Sequence, residues 1–469
     1  MSLSDLWNDF TPSKRCDWID QLRGWAVIVM IEVHCVNVWM HAGQIPGWLQ
    51  FLNGLVAPSF ITCAGYSLAL STFKADGTLR PFLPTAKRLG FILLCAYALH
   101  APGLTLAECT VFSTPQRLRA LFQIDVLQCI AFSLLLLQGV ARLLRRPLVY
   151  AAVALAIAIG AAWIAPSLWR PGVADGWWMP IRGLVNGNLD RGVASLFPLL
   201  PWIAFAAFGS VLGVLYRQVR VLAREGRAAW SESRWLVALA VLGLLLWLWG
   251  DHAAKGWLWD GTRVESEIYR LHNTTLPSVA HRLGFVCMAG SLLGWIELLR
   301  GRLPGPNPVE AASRESLLLY MLHLNLIFGI LLMEPVRMRT GWGLQALGWT
   351  GTLTLTAVII AVNLAAGLLW QRVRQTPERM RKIQKMALLA LGIYFLAGGW
   401  FTFRYYWKSP ELARESYPFL NRARLRKGLP ATSNGLSQDP QEVAREKARI
   451  GMRNREAERQ LLSTQRGPG

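Results

Sequence analysis

Charged residues are scarce in this chain, and acidic residues are the scarcest. Only 16% of the 469 residues are charged, whereas a soluble domain carries about 25%. The 28 acidic residues are outnumbered by 49 basic ones, and 53% of the chain is apolar. This composition excludes an ordinary soluble globular protein and indicates a membrane protein.

Several familiar sequence features are missing. Six of the seven cysteines lie in or beside apolar segments, with spacings that fit neither a disulfide framework nor a metal site. We therefore expect packed cysteines and no metal. The sequence has no glycine-rich phosphate loop and no tandem repeat, and its polar first 15 residues argue against a cleavable signal peptide.

Long apolar segments dominate the chain. Eleven of them are long enough to span a bilayer, near 24–41, 52–72, 88–106, 121–140, 148–165, 194–215, 235–250, 279–299, 315–333, 346–369 and 386–403. The predicted fold is therefore an all-α, polytopic membrane bundle of about 11 transmembrane helices.

Basic residues concentrate in alternate connections, which by the positive-inside rule places the N-terminus in the cytoplasm. The connections of this cytoplasmic set include Lys74, Arg80, Lys87, Arg88, Arg142, Arg145, Arg146, Arg217 and Arg220. The formal charge of +21 thus reflects membrane topology and anionic headgroups rather than nucleic acid. We predict a cytoplasmic segment 1–13, a membrane domain 14–403 and a polar, basic, partly disordered tail 404–469.

The first apolar segment and the turn before it place an aspartate, an arginine and a histidine on one predicted helix. Each charged group costs about 2.5–3.5 kcal/mol to insert, so Asp20, Arg23 and His34 are functional candidates. Arg23 and His34 are eleven residues apart, about three turns, and share one helix face roughly 16 Å apart along the axis. Asp20 is close enough to pair with Arg23, while Glu32 lies off this face and is expected to contact another neighbour.

These residue types suggest two roles at different positions along the helix. Arginine binds phosphate through paired hydrogen bonds, and a histidine inside the membrane can act as a general base. An elongated molecule such as acyl-coenzyme A, with phosphates at one end and a reactive thioester at the other, could touch both. A histidine that is merely packed and hydrogen-bonded is the structural alternative for His34.

Two long loops on the non-cytoplasmic side combine tryptophans with polar residues. The first holds Asp175, Trp177, Trp178, Arg182, Asn186, Asn188, Asp190 and Arg191; the second holds Asp251, His252, Trp257, Trp259, Asp260, Arg263, Glu265, Glu267, His272 and Asn273. Aromatic faces beside carboxylates and amides suit a sugar, and an interfacial tryptophan belt is the alternative. The predicted acceptor contacts are Trp177, Asp190, Trp257 and Asp260.

Several motifs carry a resemblance to known families. The Arg23-x10-His34 spacing resembles the signature of the acyltransferase-3 membrane family. Further stretches are similar to the bacterial relatives of heparan-alpha-glucosaminide N-acetyltransferase: 57–60 with Gly65, 124–130 and 197–202. The stretch 316–323 resembles a motif that recurs in both families. The resemblance implies transfer of an acetyl or acyl group from cytoplasmic acetyl-CoA, or another acyl-CoA, to a sugar hydroxyl or amine across the membrane. His34 matches the catalytic histidine of the family, and Arg23 matches its arginine.

Other residues have two readings each. Asp125 and Gln128, in the outer half of the fourth helix, are predicted to bind the acceptor, or Asp125 pairs with Arg117 or Arg119. Tyr320 and His323, on the cytoplasmic half of the ninth helix, either line the donor channel or bond across helices. Lys87 and Arg88 are expected near the donor phosphates, and His100 and His281 are expected to be structural.

Two functions follow from the sequence. The first is an integral acyltransferase of the bacterial inner membrane, in which His34 deprotonates the acceptor or carries the acyl group itself. The second is a multi-pass transporter or flippase-like protein for a glycan or small solute. The expected partners are the lipid bilayer and a carbohydrate acceptor, without nucleic acid, and a homodimer is left open.

Overall fold

The structure is a computed structural model. It describes residues 17–41, 43–74, 76–101, 106–110, 121–170, 172–174, 176–187, 195–225, 231–255, 274–300, 307–332, 336 and 340–397. The predicted sites Asp190, Trp257 and Asp260 lie outside these residues, as do Arg117 and Arg119.

Helices account for the regular structure of the described residues, which contain no strand. In chain order they are α1 (Asp17–Trp39), α2 (Gly47–Asn53), α3 (Val56–Thr72), α4 (Leu83–Leu99), α5 (Leu106–Thr110), α6 (Val126–Leu144), α7 (Pro147–Leu168), α8 (Met179–Val185), α9 (Leu199–Arg224), α10 (Glu232–Lys255), α11 (Leu276–Arg300), α12 (Pro308–Arg314), α13 (Ser316–Leu324), a π-helical turn (Asn325–Leu331), α14 (Trp349–Arg374) and α15 (Pro377–Ala397). The predicted all-α class is confirmed.

Each of the eleven predicted segments overlaps a helix. Within the described residues, eight spans are long and apolar enough to cross a bilayer, or nine if the bent pair α12–α13 counts as one. The other two segments correspond to α4, which has only 17 residues, and to α15, whose first half is basic. The number of crossings and the side of the N-terminus therefore stay predictions.

Two predicted segments are less regular than expected. The second splits into α2 and α3 at Gly54 and Leu55. The ninth begins at an 88° bend between α12 and α13, where the side chain of Glu315 is buried, and it continues from α13 into the π-helical turn. Arg374, at the end of α14, donates to both carboxylate oxygens of Glu315 at 2.7 and 2.9 Å, which holds the bend against α14.

Glycines let the helices that carry the site approach closely. A Cβ on Gly24 of α1 would lie 2.1 Å from the Val309 carbonyl oxygen of α12. A Cβ on Gly65 of α3 would lie 1.9 Å from the Ala206 carbonyl oxygen of α9. Small residues at such crossings bring backbones together, which is how membrane helices gain packing contacts.

The chain divides into two compact units. The first comprises Met1–Leu99 and Phe122–Met380, and it contains every described residue of the candidate site. The second comprises His100–Leu121 and Arg381–Gly469. In the second unit the structure describes residues 100, 101 and 121, helix α5, and the part of α15 from residue 381 onwards.

Candidate active site

An ion pair lies near the start of α1. Arg23 donates to the Asp20 carboxylate at 2.8 Å, as the spacing of three residues predicted. Ser313 of α12 donates to the same oxygen at 3.1 Å. Asp20 thereby fixes both the arginine and the neighbouring helix, while the buried Nε of Arg23 has no partner within the described residues.

A second guanidinium lies beside Arg23. The charge of Arg88, on α4, is close enough to that of Arg23 for the two to repel. Lys87 precedes it and is also exposed. Two like charges held together are unfavourable unless an anion lies between or beside them. This end of α1 is therefore suited to an anionic group, and the predicted phosphate contacts here stay predictions.

His34 is held by the backbone of its own helix. Its Nδ1 lies 2.8 Å from the carbonyl oxygen of Met30. A carbonyl only accepts, so Nδ1 carries the hydrogen and Nε2 of the neutral ring presents its lone pair. The ring is half-buried. A general base requires this arrangement, in which one nitrogen is anchored and the other is free to take a proton.

A second histidine with the same arrangement faces His34. The rings of His34 and His323 have centroids 5.0 Å apart. His323 Nδ1 lies 2.8 Å from the Leu319 carbonyl oxygen, and its buried Nε2 has no partner among the residues described. Phe328 of the π-helical turn packs edge-on against His34 at 6.1 Å. Such turns are rare and are frequently found at functional sites.

Asp125 completes the cluster. It is the N-cap of α6, where its Oδ1 accepts from the Val126 N–H at 2.7 Å. Its other oxygen accepts from the Tyr320 hydroxyl at 3.2 Å. The carboxylate is also close enough to act electrostatically on His34. The site thus joins an imidazole pair to a carboxylate that is itself held in place.

The contact between Asp125 and Tyr320 corrects the predicted depths. Sequence analysis placed Asp125 in the outer half of a helix and Tyr320 in the cytoplasmic half of another. Their 3.2 Å hydrogen bond puts both side chains at one depth, so this part of the prediction was wrong. Helical periodicity gives positions along a helix but not the offset between two helices. Asp125 also precedes its helix instead of lying within it, because its side chain caps the first turn.

The side chain of Gln128 forms hydrogen bonds with backbone groups. Its side chain is fully buried, its oxygen accepts from the Asp125 N–H at 3.2 Å, and its nitrogen donates to the Ala96 carbonyl at 3.3 Å. Gln128 therefore holds α6 against α4 and completes the capping box of Asp125. An acceptor contact at Gln128 stays a prediction.

The predicted loops are partly helical. Asp251 and His252 lie in the last turns of α10, not in a loop. In the first loop Trp177 and Trp178 are exposed, while Asn186 donates to the Leu168 carbonyl at 2.8 Å. The exposed tryptophans fit either a sugar surface or an interfacial belt, and both readings stay open.

Two further sequence expectations can be located. Glu32 contacts Asn53, whose amide nitrogen in its better orientation donates at 2.9 Å, so Glu32 does face another neighbour. His281 packs within an aromatic cluster with Phe51, Phe285 and Trp247. No group of three or more metal-ligating side chains occurs in the described part of the chain.

The sequence was compared with models of known protein families. The family model described as "Heparan-alpha-glucosaminide N-acetyltransferase, catalytic" matches residues 15–250, half of the chain. The chain belongs to this family. Membership in the heparan-alpha-glucosaminide N-acetyltransferase catalytic family implies a membrane acetyltransferase activity. No curated protein matches the chain.

The family match covers only part of the site. Arg23, His34, Arg88 and Asp125 fall within the matched residues of the heparan-alpha-glucosaminide N-acetyltransferase family, whereas His323 lies beyond them. From the sequence, His323 was expected to line the donor channel or to bond across helices, and its contact with His34 was not predicted. The only sequence signal for it was the motif in 316–323, which fixes no distance to the first helix.

Proposed function

We propose that this protein transfers an acetyl or other acyl group from cytoplasmic acyl-CoA to a sugar hydroxyl or amine on the far side of the membrane. The observation that carries the proposal is the anchored His34, whose free Nε2 lies in a cluster with His323, Asp125 and Tyr320. Family membership supplies the reaction class.

The proposed step needs one base. The acceptor nitrogen or oxygen bonds to the thioester carbonyl carbon and gives its proton to Nε2 of His34. The carbon–sulfur bond then breaks, and the CoA thiolate takes that proton from the imidazolium. Positioned bases of this kind contribute about 10²–10⁴-fold to a rate.

The neighbours of His34 suit the charged intermediate state. When Nε2 is protonated it becomes a donor, and the unpartnered Nε2 of His323, whose ring centroid lies 5.0 Å from that of His34, would accept from it. The Asp125 carboxylate stabilises the positive ring electrostatically. Because Tyr320 and the Val126 N–H hold this carboxylate, its charge needs no rearrangement during the reaction.

The donor is proposed to lie along α1. Arg23 and Arg88, with Lys87 nearby, would bind its phosphates, about three turns from His34. An elongated thioester is the kind of donor that reaches both groups. The acceptor would approach from the side of the exposed Trp177, with Asp190, Trp257 and Asp260 as further proposed contacts.

Acetyl transfer in proteoliposomes tests the reaction class. The full-length protein is given radiolabelled acetyl-CoA and a panel of sugars that includes glucosamine. We expect a labelled sugar product and an equal amount of released CoA thiol. Acceptor uptake that needs no acetyl-CoA, without labelled product, would contradict the proposal and support a transporter.

The same preparation separates the two roles of His34. Before the acceptor is added, one sample is denatured rapidly at neutral pH, which preserves any acetyl group bound to the protein, and a parallel native sample then receives the acceptor. Label on the protein that later moves to the sugar indicates an acyl-histidine, and unlabelled protein with normal turnover indicates a general base.

A further inference from the structure

Three arginines from separate elements meet away from the cluster around His34. Arg80 follows a short hairpin after α3, Arg142 lies in the last turn of α6, and Arg217 lies in the last part of α9. The sequence identified them only as basic residues of one membrane face. Their contacts show that they also form a group.

The hairpin before Arg80 is well defined. Phe73 and Leu79 form an antiparallel bridge, and Gly77 provides the positive φ of 83° that the turn requires. Asp76 accepts from the Thr78 hydroxyl at 2.7 Å and from its N–H at 2.9 Å. These bonds hold the pKa of Asp76 below its usual value and keep its carboxylate occupied.

Arg142 is anchored against this hairpin. Its Nη2 donates to the Arg80 carbonyl oxygen at 2.5 Å, and its guanidinium lies over the Phe82 ring, 5.6 Å from the centroid. Its Nε is buried, with no partner in the described chain. The side chain is therefore fixed, yet one of its donors is unsatisfied.

Arg217 approaches the same place from α9. A Cβ on Gly213, one turn before Arg217, would lie 2.9 Å from the Ala69 side chain of α3, so Arg217 lies beside the end of α3, where the hairpin begins. There its charge is repelled by that of Arg80 and attracted by that of Asp76. Its Nη2 is buried and also lacks a partner among the described residues. Two buried N–H donors beside this hairpin, this Nη2 and the Nε described above, are thus left without an acceptor among the described residues. Unsatisfied buried donors of this kind call for a missing acceptor.

We propose that Arg80, Arg142 and Arg217 form a binding site for a phosphate group. A guanidinium presents paired N–H donors that match phosphate oxygens. An anion here would accept from the unsatisfied donors of Arg142 and Arg217 and relieve the repulsion between Arg80 and Arg217. The phosphate has two possible sources: the headgroup of an anionic phospholipid, or a soluble phosphate compound such as a nucleotide. The site stands whether or not His34 transfers acyl groups.

Thermal unfolding of the purified full-length protein tests the site with both sources. One arm compares nanodiscs of phosphatidylcholine with nanodiscs containing phosphatidylglycerol. The other arm adds inorganic pyrophosphate to protein in phosphatidylcholine. The variants are Arg142→Gln and Arg217→Gln, and Arg146→Gln is the control because it removes the same charge from an exposed neighbouring position.

We expect at least one of the two arms to raise the unfolding midpoint of the wild-type protein and of Arg146→Gln. Either site variant should weaken the effect about tenfold or more in ligand concentration, as loss of a charge-assisted bond predicts. A response to phosphatidylglycerol alone identifies a lipid headgroup, and a response to pyrophosphate identifies a soluble phosphate.

Two results would overturn the site. One is no midpoint shift in either arm for the wild-type protein. The other is an equal loss of the shift in Arg146→Gln and Arg217→Gln, which would show nonspecific surface charge. If Arg217→Gln fails to fold, Arg217→Lys replaces it, since lysine keeps the charge but lacks the paired donors.

Discussion

At the residue scale, His34 has one ring nitrogen committed to the backbone and one available for chemistry. Its two polar neighbours differ in what they supply. His323 offers a lone pair, and Asp125 offers a negative charge. In the proposed reaction both would act on the His34 ring while it carries the proton of the acceptor. The predictions at this scale separate the two contributions from each other and from simple packing.

The lone pair of His323 is tested by two substitutions. His323→Gln keeps an oxygen that accepts a hydrogen bond, whereas His323→Leu removes the acceptor. We expect kcat of the leucine variant to fall about tenfold or more, because a hydrogen bond to a charged group contributes about 1.5–3 kcal/mol. The glutamine variant should retain most of the activity, with KM for acetyl-CoA unchanged in both.

Comparing the changes in kcat and KM in the two variants also distinguishes the other possible roles of His323. A rise in KM for acetyl-CoA with unchanged kcat would assign it to the donor channel, which is one of the two roles that the sequence left open. Equal losses of kcat in the two variants would assign it to packing.

The charge of Asp125 can be separated from its capping role. Asp125→Asn keeps an oxygen that caps α6 but removes the charge, whereas Asp125→Ala removes both. We expect the asparagine variant to keep its thermal unfolding midpoint and to lose kcat. The alanine variant should also lose about 0.5–2 kcal/mol of stability. Full activity in the asparagine variant would remove Asp125 from the mechanism.

At the element scale, the site depends on α12 and α13 packing tightly against α1. Gly24 lets α12 approach, Ser313 binds Asp20, and Glu315 holds the bend through Arg374. Pairs within one helix were predictable, as Asp20 and Arg23 show, because helical spacing determines them. The bond from Ser313 to Asp20 joins residues 293 positions apart, and no local pattern specifies such a contact.

Gly24 allows a test of this packing. In Gly24→Ala the new Cβ would meet the Val309 carbonyl oxygen at 2.1 Å, so α12 must move. We expect a loss of about 1–3 kcal/mol of stability, as for other overpacked sites, together with reduced activity. Gly90→Ala is the control, because a Cβ there meets nothing within 4 Å. Equal unfolding midpoints in the two variants would contradict the role given to Gly24.

At the scale of the whole molecule, the composition indicated a helical membrane protein, and the placement of basic residues predicted which connections face the cytoplasm. Each of the eleven apolar segments predicted from the sequence overlaps a helix of the structure, since a run of about 20 apolar residues is a strong signal. The association of Asp125 with Tyr320 and of His34 with His323 could not be predicted, since it depends on how the helices are offset and rotated in the bundle.

Cysteine labelling tests the predicted topology. In a background without native cysteines, Trp48→Cys should react with an impermeant maleimide added outside intact cells. Arg146→Cys should react only after the cells are permeabilised, because the basic connections are predicted to face the cytoplasm. The opposite pattern would reverse the predicted orientation and, with it, the proposed side from which the donor enters.

The central claim is that His34 is the group at which acyl transfer takes place, and one comparison tests it most directly. Acetyl transfer from radiolabelled acetyl-CoA is measured in proteoliposomes for the wild-type protein, His34→Gln and His41→Gln, whose exposed histidine lies just beyond the same helix. We predict a loss of at least about 100-fold in His34→Gln and wild-type activity in His41→Gln, at equal amounts of folded protein. Undiminished transfer by His34→Gln would contradict the account.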